Sequence, residues 1–224
     1  MVSSAMFRIY DLFDLNFTVS SDYLKRFTYP WEALSGLKNY VRELGATLDK
    51  NDYKEISPTV WVHKTATVAP SAFIGSPCVI CENAEIRHCA FIRGSAIIGR
   101  NCVVGNSTEL KNSILFDGVQ VPHYNYVGDS ILGHKAHMGA GSITSNVESD
   151  KSFVFIKNAE AKYETGLKKC GAMVGDFAEI GCNSVLNPGT IVGRNTAVYP
   201  LSCVRGIVPQ NSIYKNDGKV VTKK

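Results

Sequence analysis

Residues 74–104 read IGSPCVICENAEIRHCAFIRGSAIIGRNCVV, and an aliphatic side chain recurs in this stretch at every sixth position. The same period extends in both directions, and ten consecutive sixth positions are aliphatic without exception: Ile56, Val62, Val68, Ile74, Ile80, Ile86, Ile92, Ile98, Val104 and Leu110. An α-helix would need spacings of three and four, which these positions do not show. A period of six predicts short strands that each point one aliphatic residue inward, with a turn of roughly 120° after each.

Three such strands close a triangular coil, and stacked coils pair the backbone of each strand with the strand above it. The register moves by one residue at Leu115 and again at Leu132, and the repeat resumes from Val174 to Val204. The predicted fold class is therefore all-β, a left-handed parallel β-helix of hexapeptide repeats with a short N-terminal helical cap. A parallel β-sandwich is the structural alternative.

The repeat divides the chain into three parts. Residues 1–55 lie outside the period, and residues 30–44 carry a helix-like apolar stripe that begins at Pro30 and ends before Gly45. We expect this part to cap the open end of the β-helix, where unpaired strand edges would otherwise be exposed. The β-helix itself is predicted over residues 56–209, and a β-prone run at Phe153–Ile156 predicts an excursion at residues 152–171 that forms a hairpin. Residues 210–224 form a C-terminal tail.

Composition excludes several classes of function. The chain has 224 residues, 45% of them hydrophobic and 20% charged, and a net charge of +4 that is too small and scattered for a nucleic-acid surface. No apolar run is long enough to span a membrane, and the first residues do not resemble a signal peptide. Seven cysteines without a paired framework suit a reducing compartment, and we expect a cytoplasmic protein. Cys78 and Cys81 form a CxxC motif, but in this register they occupy packing positions, and no metal site is predicted.

The stretch VGNSTELKNSILFDGVQVPHYNYVGDSILGHKAHMGAGSITSN, residues 104–146, carries a resemblance to a known family. It is similar to the acetyltransferase domain of the bifunctional bacterial enzyme that makes UDP-N-acetylglucosamine, a hexapeptide-repeat acyltransferase. The whole chain looks more like the short relatives often labelled sugar-nucleotide pyrophosphorylase-related proteins. The HYNYVGD and GAGSITSN segments are the specific part of the match, whereas the six-residue repeat identifies only the fold.

The resemblance implies acetyl transfer from acetyl-CoA to the amine of an amino-sugar 1-phosphate such as glucosamine 1-phosphate, with no metal. His123 matches the catalytic base of that family, and its outward position in the repeat suits a base, although an isolated surface histidine would look the same. Asn146 stands at the family's distance from His123 and would contact the sugar or its amine. Glu109 could orient the imidazole from the coil below, or it could be a solvated carboxylate.

The resemblance also implies residues that bind the two substrates. The residues matched to binding of the sugar phosphate are Arg93, Lys111, Tyr126, His137 and Lys151. The residues matched to acetyl-CoA contacts are Ala140, Cys182 and Pro200. His137, Cys182 and Pro200 differ from the residue types that are usual in the family, and one residue is missing before Lys151.

Two classes of function follow from this sequence. The first is an N-acetyltransferase that acts as a homotrimer with its sites between subunits. The second is a non-catalytic β-helix scaffold that binds a sugar phosphate or a nucleotide sugar. Nucleotidyl transfer by the chain itself is not expected, because the 55 residues before the repeat are too few for the α/β domain that this chemistry requires. A separate nucleotidyltransferase partner stays possible.

Overall fold

The computed structural model describes residues 7–157 and 162–223, and it consists of stacked triangular coils with three faces. The face on which the N-terminal segment packs is called the covered face. It contains β2 (Val60–His63), β5 (Cys78–Ile80), β8 (Ala96–Ile98), β17 (Ala172–Val174), β20 (Thr190–Val192) and β23 (Ile207–Val208). The polar face contains β3 (Thr67–Val68), β6 (Glu85–Ile86), β9 (Val103–Asn106), β11 (Gln120–His123), β13 (His137–Met138), β18 (Glu179–Ile180), β21 (Ala197–Val198) and β24 (Ser212–Tyr214). The aromatic face contains β4 (Phe73–Ile74), β7 (Phe91–Ile92), β14 (Ile143–Thr144), β19 (Val185–Leu186) and β22 (Cys203–Val204). Two long strands, β10 (Glu109–Leu115) and β12 (Tyr126–Leu132), bend from the aromatic face onto the covered face.

The inward-facing aliphatic residues stack in register along the axis. On the covered face, parallel pairing aligns Ile80 with Ile98, Ile98 with Leu115, and Leu115 with Leu132. Leu132 then pairs with Val174, so the repeat continues across the excursion without losing its register. These side chains are buried, and the predicted left-handed β-helix of hexapeptide repeats is confirmed.

The start of the β-helix differs from the prediction at Ile56. This residue lies on β1 (Tyr53–Ser57), which pairs antiparallel with β2, and its side chain is 50% exposed. The inward column therefore begins at Val60 and Val62, one strand later than the six-residue period indicated. At the other end β25 (Val220–Thr222) pairs antiparallel with β24. Both terminal coils thus have an antiparallel strand along an edge that would otherwise be unpaired.

The N-terminal segment lies along the covered face, whereas the sequence predicted a cap over the open end. It contains α1 (Ile9–Leu12), α2 (Ser21–Leu24), α3 (Leu37–Thr47) and the 3-10 helices Leu15–Phe17 and Pro30–Leu34. Helix α3 packs on β5, β8 and β10, and the Phe13 and Phe116 rings meet at 5.0 Å between centroids. The N-terminal segment packs here because this face carries a column of outward apolar residues: Trp61, Val79, Ile97, Ile114, Ile131, Met173 and Ile191. Most of this column is buried, so covering it removes a large apolar area from water.

The excursion leaves the β-helix after Asn146 and returns at Cys170, whose backbone N–H donates to the Asn146 carbonyl at 3.0 Å. It contains the antiparallel pair β15 (Phe155–Lys157) and β16 (Lys162–Glu164), which confirms the expected hairpin; its tip lies outside the described residues. The hairpin folds back on the later coils, where Val154 and Ile156 are buried against Gly189. A Cβ atom on Gly189 would lie 3.0 Å from the Phe155 carbonyl oxygen, so glycine allows this close approach.

All seven cysteines have free thiols, and Cys78 and Cys81 are fully buried as the packing interpretation predicts. Burial raises the pKa of the Cys81 thiol to about 12. Within residues 7–157 and 162–223, no helix is both long enough and apolar enough to cross a membrane.

Replacing Ile86 by Asp should prevent stable folding. The Ile86 side chain is buried on the polar face between Val68 and Val104, and an unpaired carboxylate there costs several kcal/mol. Chemical unfolding followed by circular dichroism measures this loss. The matched control is Thr67→Asp, which places the same carboxylate on an exposed outward position of the same face and should leave the unfolding midpoint nearly unchanged. An Ile86→Asp protein with the wild-type midpoint would contradict the inward register.

Candidate functional site

The basic corner is the edge where the aromatic face meets the covered face, and it carries Arg93, Lys111, Asp129 and Asn146. Ile92 pairs with Leu110, and Arg93 and Lys111 follow them, so the two cations occupy equivalent positions in successive coils. Lys111 pairs in turn with Gly128, which places Asp129 at the same edge. Residues 18 apart in sequence thus become neighbours along one edge.

Asp129 joins most of the polar groups at this corner. The Lys111 ammonium lies 2.9 and 3.0 Å from its two carboxylate oxygens, and the side-chain amides of Asn112 and Asn146 donate to it at 2.9 and 2.5 Å. The Asp129 side chain is only 4% exposed, and hydrogen bonds from three donors replace the hydration that its carboxylate loses on burial. Asp129 belongs to the HYNYVGD segment, but its position in the repeat predicts no role for it. It positions Lys111 and Asn146.

Tyr126 extends this network onto the aromatic face. The Asn146 side-chain amide donates to the Tyr126 hydroxyl at 3.2 Å. Burial raises the pKa of the Tyr126 phenol, and the nearby carboxylates of Asp129 and Glu109 raise it further. The phenol therefore stays neutral and can donate a hydrogen bond at neutral pH.

Glu109 lies against Arg93, not against His123. Its carboxylate accepts a hydrogen bond from the Arg93 guanidinium at 2.9 Å, and this bond raises the pKa of Arg93. Among the described residues the His123 imidazole has no hydrogen-bond partner. The structure therefore gives Glu109 a place beside a cation at the basic corner, and the predicted orientation of the imidazole by Glu109 is not seen.

The His123 corner is the edge where the polar face meets the aromatic face, and it carries His123, Ala140, Cys182 and Pro200. Backbone hydrogen bonds stack its turns: the Gly141 N–H donates to the His123 carbonyl at 3.0 Å, and the Asn183 N–H donates to the Ala140 carbonyl at 2.9 Å. The Leu201 N–H continues the stack by donating to the Cys182 carbonyl at 2.9 Å. The predicted base and the three residues matched to acetyl-CoA contacts therefore line one edge.

Buried Asn125 connects the turn of His123 to the turn of Ala140. Its carboxamide oxygen accepts the His123 N–H at 3.1 Å, and its amide donates to the Gly139 and Ser142 carbonyls at 2.8 and 3.1 Å. No role was predicted for Asn125 from the sequence, although it lies inside the HYNYVGD segment. Within the described part of the chain the Ala140 N–H has no acceptor, which leaves one backbone donor available next to the coil of His123.

His137 lies away from the basic corner, and Lys151 is not among the residues that line the pocket there. His137 is on the polar face, where its Nδ1 atom lies 2.8 Å from the Glu179 carboxylate. Lys151 is exposed in a turn closed by its own N–H and the Glu148 carbonyl at 2.9 Å. A lysine from the end of the excursion, Lys169, instead lines the pocket that contains Arg93 and Lys111. The sequence could not indicate Lys169, because the excursion obscures which residue returns to the corner.

Metal ligands are not brought together in the described parts of the chain: no group of three or more His, Cys, Asp or Glu side chains is placed to hold an ion. The site consists of two edges that flank the aromatic face, one with an exposed imidazole and a free backbone donor, the other with two cations and a buried carboxylate. Repeat and fold together define the chain as a hexapeptide-repeat β-helix protein.

The chain is similar to several named proteins. The family described as GMPPB C-terminal domain matches residues 90–173. The bifunctional protein GlmU of Methanococcus maripaludis is 30% identical over 199 residues, which are 88% of this chain and 48% of that protein. A bifunctional sugar-1-phosphate nucleotidylyltransferase/acetyltransferase of Sulfurisphaera tokodaii is 30% identical over 105 residues, which are 47% of this chain and 26% of that protein. The chain thus spans about half the length of the GlmU relative and about a quarter of the length of the second relative.

The chain is also similar to solved structures of two acetyltransferases. The acetyltransferase domain of PglB from Neisseria gonorrhoeae, in complex with acetyl coenzyme A, matches 70% of this chain and 54% of that one, with 19% identity and a TM-score of 0.38. The polySia-specific acetyltransferase NeuO matches 70% of this chain and 80% of that one, with 12% identity and a TM-score of 0.47.

Replacing Asp129 by Asn should destabilise the protein by about 1–3 kcal/mol. The amide that replaces one carboxylate oxygen cannot accept, so it faces the Asn146 or Asn112 donors and leaves the Lys111 ammonium without a counter-charge. Urea unfolding measures the change in the free energy of unfolding. Asp150→Asn, at an exposed position, is the control and should change stability by less than about 0.5 kcal/mol. Equal stabilities of the two variants would mean that Asp129 does not hold the corner together.

Proposed function

We propose that the chain is an acetyl-CoA-dependent N-acetyltransferase that acts on an amino-sugar 1-phosphate, with glucosamine 1-phosphate as the first substrate to test. The observation that carries the proposal is the pair of edges on either side of the aromatic face. His123 and the Ala140 N–H lie at one edge, and Arg93, Lys111 and Asn146 lie at the other. A phosphorylated amino sugar placed across the face with its phosphate at the basic corner would direct its amine toward the His123 corner. The similarity to a GlmU protein over 88% of the chain supports the same proposal.

The residues at the His123 corner fit a thioester substrate. Ala140, Cys182 and Pro200 occupy successive coils, so they form a strip about 5 Å per coil along which an extended arm can lie. When bound there, acetyl-CoA would supply the acetyl group as an activated thioester. The Ala140 N–H, which has no acceptor within the described chain, is the donor available to the developing oxyanion.

His123 has the properties of a general base for this reaction. Only the free amine attacks a thioester, so a proton must leave the nitrogen of the sugar, and an imidazole can accept it near neutral pH. The hydrogen bonds of the His123 N–H and carbonyl fix its backbone, while its side chain is exposed to an incoming substrate. The amine nitrogen attacks the carbonyl carbon of the thioester and gives its proton to the imidazole. The C–S bond then breaks as the amide forms, and the departing thiolate of CoA takes the proton back from the imidazolium.

Arg93, Lys111, Tyr126 and Asn146 would bind the acceptor. Arg93 and Lys111 supply two positive charges for the phosphate, and Asn146 and Tyr126 present polar groups to the sugar. Glu109 would orient the Arg93 guanidinium through the hydrogen bond that its carboxylate accepts. The free cysteines agree with a reducing compartment such as the cytoplasm.

A binding scaffold without catalysis is the second candidate, and one observation favours it. The imidazole of His123 has no carboxylate or carbonyl partner among the described residues, so its orientation is not fixed as in many catalytic histidines. An assay of thiol release from acetyl-CoA, with a panel of amino-sugar phosphates, separates the two candidates. Thiol release that depends on an amino sugar supports the enzyme, and binding of a sugar phosphate without any release supports the scaffold.

Replacing His123 by Ala should lower kcat by about 10²–10⁴-fold with no change in the fold. The side chain is exposed, so its removal costs no core contact, and the loss should be largest at a pH where the amine is mostly protonated. Lys111→Ala should raise KM more than it lowers kcat, because the phosphate is bound similarly in the ground and transition states. It should also lower the stability of the protein, because the buried Asp129 carboxylate loses its cation. Steady-state kinetics of both variants measures this division. Normal turnover by His123→Ala would place the base elsewhere.

The chain should form a homotrimer whose sites lie between subunits. Among the described residues the N-terminal segment occupies the covered face, which leaves the polar and aromatic faces available to neighbouring chains. On the aromatic face Phe73 and Phe91 are 60% and 42% exposed and pack edge to face, which favours burial in an interface. Light scattering at micromolar concentration should give the mass of three 24.5 kDa chains.

Phe73→Asp should lower this mass, because it places a charge in the proposed interface. Tyr10→Asp, an equally exposed position on the N-terminal segment, is the matched control and should stay trimeric. A wild-type protein that is monomeric under these conditions would refute the proposed assembly.

A further inference from the structure

Tyr124 has an unusual backbone conformation at the His123 corner. It directly follows His123, the last residue of β11, and its φ of 51° lies in the left-handed region that residues with a large side chain rarely adopt. The residue is also 64% exposed. A bulky residue in this conformation costs stability, and an exposed ring offsets little of that cost by burial. The packing of the chain therefore does not explain a tyrosine at this position.

Tyr124 belongs to a column of residues with positive φ along this edge. Each coil places one such residue there, and backbone hydrogen bonds join each turn to the turn before it. The column consists of Cys89, Ser107, Tyr124, Gly141, Asn183 and Leu201. The two neighbours of Tyr124, Ser107 and Gly141, have a short side chain or none. The Tyr124 ring therefore has no large neighbour in the column on either side.

Phe177 shows how packing within the chain can stabilise an aromatic residue in this conformation. Its φ is 58° and it is 49% exposed, but its ring packs edge to face on the His134 imidazole with 5.3 Å between centroids. Among the described residues no aromatic ring packs on Tyr124, and its hydroxyl has no hydrogen-bond partner. The contrast indicates that the contact of the Tyr124 ring comes from a ligand.

The position next to His123 indicates which ligand this is. The Cα atoms of adjacent residues are about 3.8 Å apart, so an acceptor whose amine reaches the His123 imidazole passes close to Tyr124. The residues proposed to bind the acceptor at the basic corner, Arg93, Lys111 and Asn146, present charges and hydrogen-bonding groups. A pyranose also has apolar C–H faces, which such groups cannot cover. An aromatic side chain supplies a flat apolar surface for one of these faces.

We propose that Tyr124 recognises the sugar ring of the acceptor by packing its own ring on one C–H face of the pyranose. The strained backbone of Tyr124 is then a cost in stability that the chain retains for binding. This inference rests on the proposed function for the identity of the acceptor. The contact itself is made on binding and does not require acetyl transfer.

Tyr124→Asn should make the protein more stable, which a packing role for the ring would not allow. Asparagine adopts positive φ more readily than tyrosine, so the thermal midpoint followed by circular dichroism should rise by about 2–4 °C. Phe177→Asn is the matched control, and its midpoint should fall because the contact with His134 is lost. Light scattering should give the wild-type mass for Tyr124→Asn. A lower midpoint or a lower mass would mean that the ring packs within the chain or against a second copy, and would overturn the inference.

Isothermal titration calorimetry with two probes tests the contact with the sugar ring. For Tyr124→Asn the Kd for glucosamine 1-phosphate should rise about three- to tenfold, whereas the Kd for inorganic phosphate, which has no ring, should be that of the wild type. Tyr124→Phe should bind both probes like the wild type, because it keeps the ring. Leu201→Asn changes a bulky residue of positive φ three coils away on the same edge, and it should leave both values unchanged. An equal rise for both probes, or weak binding by Tyr124→Phe, would overturn the inference.

Kinetics separates this inference from the proposed function. If the chain releases thiol, Tyr124→Asn should raise the KM for glucosamine 1-phosphate at nearly constant kcat. Wild-type Kd and KM in Tyr124→Asn would overturn the inference and leave the acetyltransferase standing. A wild type that releases no thiol, but whose Kd for the sugar phosphate alone rises in Tyr124→Asn, would refute the function and support the role of Tyr124. A wild type that binds glucosamine 1-phosphate no more tightly than phosphate would overturn the inference, because the sugar ring would then make no contact.

Discussion

Parallel backbone pairing between successive coils is the constraint on which the rest of the structure depends. It places residues 17 or 18 positions apart directly above one another, as when Ile80 pairs with Ile98 and Ile98 with Leu115. The same pairing that stacks the core also aligns Arg93 with Lys111 and His123 with the turn of Ala140. Core and site therefore share one geometry, and a register shift that moved the inward residues would disperse the site as well.

The six-residue period was sufficient to predict the inward column, because only one kind of position in each strand can be buried in the coil. It failed at Ile56, which has the right residue type but belongs to an antiparallel strand. The covering of one face was missed, although the sequence contains its signal. Val79, Ile97, Ile114 and Ile131 each precede an inward residue, so one face in three is apolar on both sides. Such a face needs a partner, and the aromatic residues near the N-terminus supply it.

The site residues that a short motif places could be predicted from the sequence. The site residues that depend on long-range contacts could not. His123, Tyr126 and Asn146 lie at positions set by the repeat, so their places followed from the register. Asp129 and Asn125 stand in the same motif but act through hydrogen bonds to residues in other coils, which no spacing reveals. Lys38, Leu167 and Lys169 line the pocket at the basic corner but belong to the N-terminal segment or the excursion, both of which lie outside the period. Glu109 illustrates the converse, because its place in the coil below His123 did not decide which side chain its carboxylate contacts.

The excursion shows how such a scaffold can change its specificity. Leu132 pairs with Val174 although 41 residues separate them, so the β-helix continues as if the insertion were absent. Closing a longer loop costs little additional entropy, because that cost grows only with the logarithm of its length. Stability is therefore carried mainly by the coils, whereas Leu167 and Lys169 come from a segment whose length can change without a change in the pairing of the coils. The corner between Asn146 and Cys170 is thus an insertion point at which new side chains can be brought beside the site while the framework of coils is preserved.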